Sequence, residues 1–388
     1  MLSNSTTAFY VEGRKRDLEP TFESLRKSER TALLLRNVYE RYGYRSFRMG
    51  KFEEYDFYNE NRDFLPPGPI MTFTDMNGKL MALKPDVTLS IVKNSRAAAN
   101  APERLYYTEN IYRMSREVRE LREIYQVGVE YIGAVAPFTN VEIIGLACRS
   151  LACIEESYVL NISHMGYLTG LFQSLALPAE EKRALLACIK SKNAHELCRL
   201  SRQYGLPSEN EERLLRLLRI SGPLMESLGE ARALCVNDAM LAAVEELGQL
   251  AQVLNEAPLK LDFSIASDPQ YYNGLMFRGF VQSVPRAVLS GGRYDPLVRR
   301  MGKENLEAIG FALYFDEIDR YFRQPSSLRY DAFILYDEES SLSALFQASE
   351  RLAAQEKRVG TGTVLPVNAE TAALYRLCGD VLKEERSC

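Results

Sequence analysis

Two strand-like runs joined by a charged loop, residues 104–133, constrain the fold of this chain more than any other stretch. The first run is rich in Tyr and Ile and ends at Arg113, and the second alternates large and small residues over 124–132. Residues four apart in a strand point to the same face, so Gln126 and Glu130 project together. The stretch predicts an antiparallel hairpin with an arginine near an amide and a carboxylate, which suits a small zwitterionic ligand. The alternative is an ordinary hairpin with a solvated charged loop.

Bulk composition is typical of a soluble globular protein with two or three domains, since 388 residues are 46% hydrophobic and 26% charged. No apolar run approaches the ~18 residues of a membrane span, and no signal peptide is expected. The seven cysteines mostly lie in apolar helical patterns and are expected to stay reduced in the cytoplasm. With two histidines and no CxxC pair, no metal site is predicted. The net charge of −4 argues against a large nucleic-acid surface.

The first part of the chain alternates helical and strand patterns. Apolar residues at helical intervals predict a helix over 21–42, and a strand is predicted over 44–49. The pair Asn77-Gly78 between two strand-like runs predicts a tight hairpin. Thr88 follows Pro85 and is predicted to cap the next helix.

The rest of the chain predicts three regions. Helical patterns broken by Pro, Gly and Asn fill residues 164–257, which we interpret as a helical insertion within a core that spans 1–322. Strand character returns at 259–265. After a Ser/Pro-containing linker, residues 328–388 predict a small α/β domain in the order strand, helix, strand, helix.

Three blocks in the same order resemble the class II aminoacyl-tRNA synthetases, specifically the histidyl-tRNA synthetases. They are motif two at 104–133, LKPDVT at 83–88, and YYNG…GGRYDPLV…GFAL between 271 and 313. The resemblance covers roughly residues 13–322. It implies an α+β fold with an antiparallel sheet core and flanking helices, in which the first helix and strand form motif one and a dimer interface.

The same resemblance implies a histidine-binding pocket. Its residues would be Asp86, Thr88, Arg113, Gln126, Glu130, Tyr271 and Tyr272. In the family, groups matching Asp86, Thr88 and Gln126 accept hydrogen bonds from the substrate ammonium, while Glu130 and Tyr272 match the groups at the imidazole. A neutral imidazole has one donor and one acceptor, so a carboxylate and a hydroxyl complement it. Arg113 is the candidate for the ligand carboxylate. Core packing is the alternative for the two tyrosines, and the Asn-Gly and GGRYD that follow favour the pocket.

Three positions depart from the family pattern where ATP would react. The catalytic arginine corresponds to Ser267, the motif-three arginine to Glu317, and a small motif-three glycine to Tyr314. Activation of an amino acid needs cationic groups around the reacting phosphate. Two unit charges ~4 Å apart interact by ~4 kcal/mol at an effective dielectric near 20, so reversing one sign replaces attraction with repulsion. The tail also differs from the family's anticodon-binding domain, because it is only about sixty residues long.

A chain that keeps the amino-acid pocket but lacks the residues for ATP chemistry resembles the regulatory subunits of ATP phosphoribosyltransferase, which are paralogues of histidyl-tRNA synthetase. The resemblance implies a non-catalytic, cytoplasmic chain with no cofactor that binds histidine and controls the first step of histidine biosynthesis. It implies a dimer that joins the short-form catalytic subunit in a hetero-octamer, with neither membrane nor tRNA as a partner. Two alternatives stay open: a divergent histidyl-tRNA synthetase, and a synthetase-like regulator that binds tRNA or another protein.

Overall fold

The computed structural model describes residues 25–65, 68–114, 120–267, 271–322, 328–367 and 369–387. The described residues from 26 to 322 form one compact unit, and those from 328 onward form a second. The charged loop of the predicted hairpin, 115–119, lies outside the described residues.

A nine-stranded sheet forms the centre of residues 26–322. In spatial order its strands are β1 (Arg45–Phe47), β5 (Glu103–Met114), β6 (Leu121–Gly133), β12 (Glu307–Tyr314), β11 (Leu289–Arg293), β10 (Leu275–Val281), β7 (Tyr158–His164), β9 (Leu259–Asp262) and β8 (Ser221–Pro223). Only β1 with β5 and β7 with β9 are parallel, and the other neighbouring pairs are antiparallel. The α+β class with an antiparallel core is therefore confirmed.

The predicted hairpin is the longest strand pair of this sheet, in register from Glu103 opposite Ile132 to Met114 opposite Leu121. Tyr107 lies opposite Gly128, and the tyrosine ring occupies the space that a Cβ at Gly128 would need. The alternation of large and small residues in β6 thus reflects a close packing of the two strands.

Two helices cover one face of the sheet. Helix α1 (Lys27–Arg41) buries Leu35 and Tyr39, which are four residues apart, and it ends before Gly43 at a φ of +79°. Helix α4 (Pro137–Ile154) is long and apolar enough to cross a membrane by length and composition. However, 61% of it is buried inside the protein, as in a core helix, and the Tyr39 hydroxyl lies 2.9 Å from Ser150 Oγ of α4.

A small sheet precedes the hairpin. Its strands and the neighbouring helices are β2 (Phe52–Glu54), α2 (Tyr55–Glu60), β3 (Thr72–Thr74), β4 (Leu80–Leu83) and α3 (Thr88–Asn94), with a 3-10 turn at Arg62–Phe64. Strands β3 and β4 form the predicted tight hairpin, in which Gly78 has a φ of +78°.

The prediction that Thr88 caps α3 is wrong. Val87 occupies the N-cap position and no side chain caps the helix from there. Instead, Asp86 Oδ1 accepts a hydrogen bond from the Leu89 backbone N–H at 3.0 Å. The Thr88 hydroxyl donates to Glu130 Oε1 at 2.7 Å, because a buried carboxylate is a stronger acceptor than a neutral group and needs donors.

Helices dominate the region between β7 and β9. They are α5 (Met165–Ser174), α6 (Ala179–Lys190), α7 (Ala194–Gln203), α8 (Ser208–Arg219), α9 (Leu224–Ala233) and α10 (Asp238–Val253). Asn193 and Asn237 cap α7 and α10 by accepting from backbone N–H groups, each at 3.0 Å. Strand β8 joins this region to the edge of the main sheet. The domain boundaries at 164 and 257 stay a prediction.

The second unit is a four-stranded sheet with one helix. In spatial order its strands are β14 (Val359–Gly362), β13 (Leu328–Leu335), β15 (Ala369–Cys378) and β16 (Val381–Ser387), and its helix is α13 (Leu342–Ala353). The helix predicted at the end of the chain is wrong. Gly379, with a φ of +57°, and Asp380 form a two-residue turn between β15 and β16, while parallel pairing with β13 holds β15 extended.

The remaining helices flank β11 and β12. They are α11 (Asp295–Arg300), which begins two residues after the end of β11, and α12 (Phe315–Tyr321), which directly follows β12. Both strands carry pocket residues.

Candidate functional site

A polar pocket lies over the face of the main sheet opposite α1 and α4, with an empty volume of about 400 Å³. Its lining residues are Asp86, Thr88, Tyr107, Arg113, Gln126, Glu130, Tyr271, Tyr272, Ser290, Gly291, Tyr294, Gly310, Phe311, Ala312 and Tyr314. All seven residues predicted from the sequence are brought together here. Their binding of histidine stays a prediction.

The register of the sheet explains why the pocket floor is open. Gln126 lies opposite Tyr314, and Glu130 lies opposite Gly310. A Cβ at Gly310 would collide with the Glu130 carboxylate. Glycine at this position therefore gives Glu130 the room to stand on the pocket side of β6.

Glu130 is the more deeply buried of the two carboxyl groups that line the pocket, with only 2% of its surface exposed. Oε1 accepts from Thr88 at 2.7 Å, and Oε2 accepts from the Tyr294 hydroxyl at 2.6 Å. Burial raises the pKa of Glu130 to about 8, although both hydrogen bonds favour the anion. Each carboxylate oxygen keeps a further lone pair for a ligand N–H.

We expect Glu130 to make stability depend on pH. Its pKa rises from 4.5 to about 8 on folding, so the folded state holds this proton more tightly than the unfolded state. Its contribution is fully present below the unfolded pKa and is lost as pH rises toward about 8, at up to about 1.4 kcal/mol per pH unit. Urea unfolding of Glu130→Gln should lack this slope. A stability difference between variant and parent that is equal at low and high pH would contradict the expectation.

Asp86 and Arg113 stand side by side at another wall of the pocket. Arg113 Nη2 lies 3.5 Å from Asp86 Oδ2, and Arg113 Nε donates to the Pro85 carbonyl at 2.8 Å. Burial raises the pKa of Asp86, against the opposing effect of Arg113. The pair offers an acceptor for an ammonium group and a cation for a carboxylate. Lys84 lies outside the lining, because it is buried and ion-paired with Glu109.

Tyrosine hydroxyls supply much of the remaining polarity. The five lining tyrosines are Tyr107, Tyr271, Tyr272, Tyr294 and Tyr314. Burial raises the pKa of Tyr272 and Tyr294 above the ordinary value, so both hydroxyls remain protonated and can donate. Sequence reasoning missed Tyr107, Ser290 and Tyr294 as pocket residues. Tyr294 belongs to the GGRYD block of the sequence. Its hydroxyl donates to Glu130, which is 164 residues away in the chain, and the structure alone shows this contact.

Of the three positions that depart from the synthetase pattern, one lines this pocket. Tyr314 lines it, and its hydroxyl lies 2.8 Å from Ser290 Oγ. Glu317, in the first turn of α12, has Arg286 Nη1 at 3.4 Å. Ser267 is described but does not line the pocket. Among the described lining residues, Arg113 is the one permanent cation.

No group of three His, Cys, Asp or Glu side chains that could hold a metal ion occurs in the described part of the chain. The polar side-chain groups that line the pocket are hydroxyl, amide, carboxylate and guanidinium groups.

Comparisons with known proteins agree on the family and the fold of this chain. The family model described as histidyl-tRNA synthetase matches residues 15–318. An ATP phosphoribosyltransferase regulatory subunit from Moorella thermoacetica is 33% identical over 310 residues, which are 78% of this chain and 78% of that protein. A histidine–tRNA ligase from Methanocaldococcus jannaschii is 28% identical over 308 residues, 78% of this chain and 73% of that protein. A solved structure from Bacillus halodurans, described as an ATP phosphoribosyltransferase regulatory subunit/histidyl-tRNA synthetase, superposes with a TM-score of 0.74 at 21% identity. The superposition covers 96% of this chain and 99% of the Bacillus halodurans chain, and it confirms the fold.

Proposed function

We propose a regulatory role in histidine biosynthesis for this chain, which belongs to the histidyl-tRNA synthetase family and, within it, to the ATP phosphoribosyltransferase regulatory subunits. In this proposal the chain binds free histidine and controls the short-form catalytic subunit of ATP phosphoribosyltransferase. The observation that carries the proposal is Glu130, a buried carboxylate fixed by two hydroxyl donors inside a pocket that also holds an acid–arginine pair.

Histidine matches the chemistry of this pocket group by group. Asp86, Thr88 and Gln126 offer acceptors for its ammonium, and Arg113 offers the cation for its carboxylate. Glu130 accepts an imidazole N–H, while Tyr272 donates to the other ring nitrogen. Tyr271 packs beside Tyr272, with ring centroids 4.4 Å apart, and supports its position.

Three side chains support a non-catalytic role. Tyr314 and Ser290 occupy the part of the wall next to Gln126, and Glu317 places a carboxylate where the family pattern has a cation. Negative charge developing on a phosphate would then be destabilised rather than stabilised. The chain acts on another subunit instead of on ATP.

Control requires histidine to bind two states of the complex unequally, because equal binding shifts no equilibrium. Helix α3 can couple ligand binding in the pocket to a change of state. Thr88, at the start of α3, donates a hydrogen bond to Glu130, and Asp86 accepts one from the Leu89 backbone N–H. A ligand that engages Glu130 and Asp86 therefore acts directly on the first turn of α3.

The proposed assembly is a cytoplasmic hetero-octamer in which dimers of this chain form through the segment of α1 and β1, similar to motif one. The catalytic subunit contacts either the helical region between β7 and β9 or the second unit. Neither membrane nor tRNA takes part in this assembly.

Mixing the purified chain with a short-form catalytic subunit should produce a stable complex and raise phosphoribosyl transfer well above that of the catalytic subunit alone. The physical reason is that a regulatory subunit stabilises the active state by binding it preferentially. Size-exclusion chromatography at micromolar concentration and a coupled activity assay measure the two effects. The absence of a complex at that concentration would contradict the regulatory assignment.

A further inference from the structure

Four motif residues that do not line the pocket contact one another next to its tyrosines. They are Asn273, Gly274, Arg293 and Asp295. The Asp295 side chain is only 1% exposed and accepts three hydrogen bonds. The donors are Asn273 Nδ2 at 2.8 Å, Arg293 Nε at 2.8 Å and the Ala308 backbone N–H at 3.0 Å.

The contacts between the two motif segments are reciprocal. Asn273 Oδ1 accepts from the Asp295 backbone N–H at 3.3 Å, and the Asn273 backbone N–H donates to the Arg293 carbonyl at 3.2 Å. A Cβ at Gly274 would lie 2.9 Å from Arg293 Cδ, so a larger residue at this position would force the arginine side chain to shift. The YYNG turn and the end of β11 are therefore fastened to each other by side chains on both segments.

Three of these four residues are chain neighbours of a pocket tyrosine. Asn273 follows Tyr272, and Arg293 and Asp295 flank Tyr294. A Cβ at Gly292 would lie 2.7 Å from Tyr272 Cδ1, so the ring of Tyr272 is seated directly against β11. Tyr294 in turn donates to Glu130. Any shift between the two segments thus moves both tyrosines relative to Glu130.

We infer that Asp295 is a positioning residue for ligand recognition, which fixes Tyr272 and Tyr294 through Asn273 and Arg293 without touching the ligand. This inference rests on the proposed histidine pocket. A buried carboxylate that satisfies three donors, one of them cationic, is a strong and geometrically specific fastening. Binding groups held to a fraction of an ångström need such support from residues behind them.

Asp295→Asn is the direct test. The substitution places an amide NH2 either against Asn273 and Arg293, which are both donors, or against the Ala308 N–H. Histidine affinity measured by calorimetry should fall roughly tenfold or more. Mutation of the residues that orient metal ligands typically lowers affinity by a similar factor. The double variant Asn273→Asp with Asp295→Asn exchanges the two side chains and restores the acid–amide pair. Arg293 Nε would still face an amide NH2, so the exchange should recover part of the lost affinity, which a nonspecific structural defect would not do.

Asp262→Asn is a matched control. Asp262, the last residue of β9, is also a buried aspartate, 8% exposed, and it accepts from Lys192 Nζ at 2.9 Å and the Ser264 N–H at 3.0 Å. None of these residues lines the pocket, so histidine affinity should stay at the parent value. Parent-like affinity in Asp295→Asn, or a double variant as weak as the single one, would overturn the inference.

A ligand-free measurement separates this inference from the proposed function. The hydrogen bond from Tyr294 lowers the pKa of Glu130. Loosening Tyr294 should raise that pKa in Asp295→Asn and bring it partly back in the double variant, as followed by carbon-13 NMR titration of the Glu130 carboxyl. An unchanged titration would refute the positioning role even if the parent binds no histidine. A parent without histidine binding would refute the proposed function alone.

Discussion

Above pH 8, where Glu130 is ionised, Glu130→Gln should lower the affinity for histidine about ten- to a hundredfold, because a hydrogen bond to a charged group is worth roughly 1.5–3 kcal/mol. The glutamine has nearly the same shape but loses the charge and one acceptor. Thr88 and Tyr294 both donate to the carboxylate, so one of these hydroxyls would have to turn around or lose its partner. Isothermal titration calorimetry on the purified variant measures the effect directly.

The same variant should keep its fold and its assembly with the catalytic subunit, while feedback by histidine is lost. Glu142→Gln is a matched control, since Glu142 is a buried glutamate on α4 that accepts from the Tyr44 hydroxyl at 2.9 Å and forms an ion pair with Arg104 at 3.3 Å. It does not line the pocket, so its histidine affinity should equal that of the parent. Equal affinity in parent and Glu130→Gln would show that the pocket assignment is wrong.

The pocket residues that the sequence could predict are those on a regular strand or next to a motif. Period-two alternation in β6 places Gln126 and Glu130 on one face regardless of tertiary context. The Asn77-Gly78 turn was predictable for a similar reason, because few residues adopt the left-handed conformation that Gly78 has here.

What the sequence could not predict depends on partners far along the chain. The local pattern predicts Thr88 as a helix cap, but its hydroxyl donates a hydrogen bond to Glu130, which is 42 residues further along the chain. The end of the chain has good helix formers around Ala372 and Leu374, yet β15 is held extended by parallel pairing with β13. In both cases a long-range contact outweighs a local preference of about 1 kcal/mol or less per residue.

The purified chain should show no histidine-dependent exchange between ATP and pyrophosphate above background. Synthetase chemistry depends on positive groups aimed at the phosphates, and removing one such group typically costs a hundredfold to a thousandfold in rate. Here two arginine positions of the family pattern hold Ser267 and Glu317, and the second reverses the charge. The combined loss should therefore exceed about ten-thousandfold if the contributions are independent.

Histidine binding and exchange, measured on the same preparation beside an authentic histidyl-tRNA synthetase, distinguish the three functions. Binding without exchange is the result expected of a regulatory subunit. Exchange that persists in a clean preparation would instead support a divergent synthetase and would mean that other cations, such as Arg286 beside Glu317, serve the phosphates. If the chain shows neither histidine binding nor exchange, it is a scaffold or activator whose pocket has lost its ligand. Because Tyr314 and Glu317 lie outside the predicted contacts of histidine, exchange can disappear while Glu130 still binds the amino acid, and that combination is what the geometry of the pocket favours.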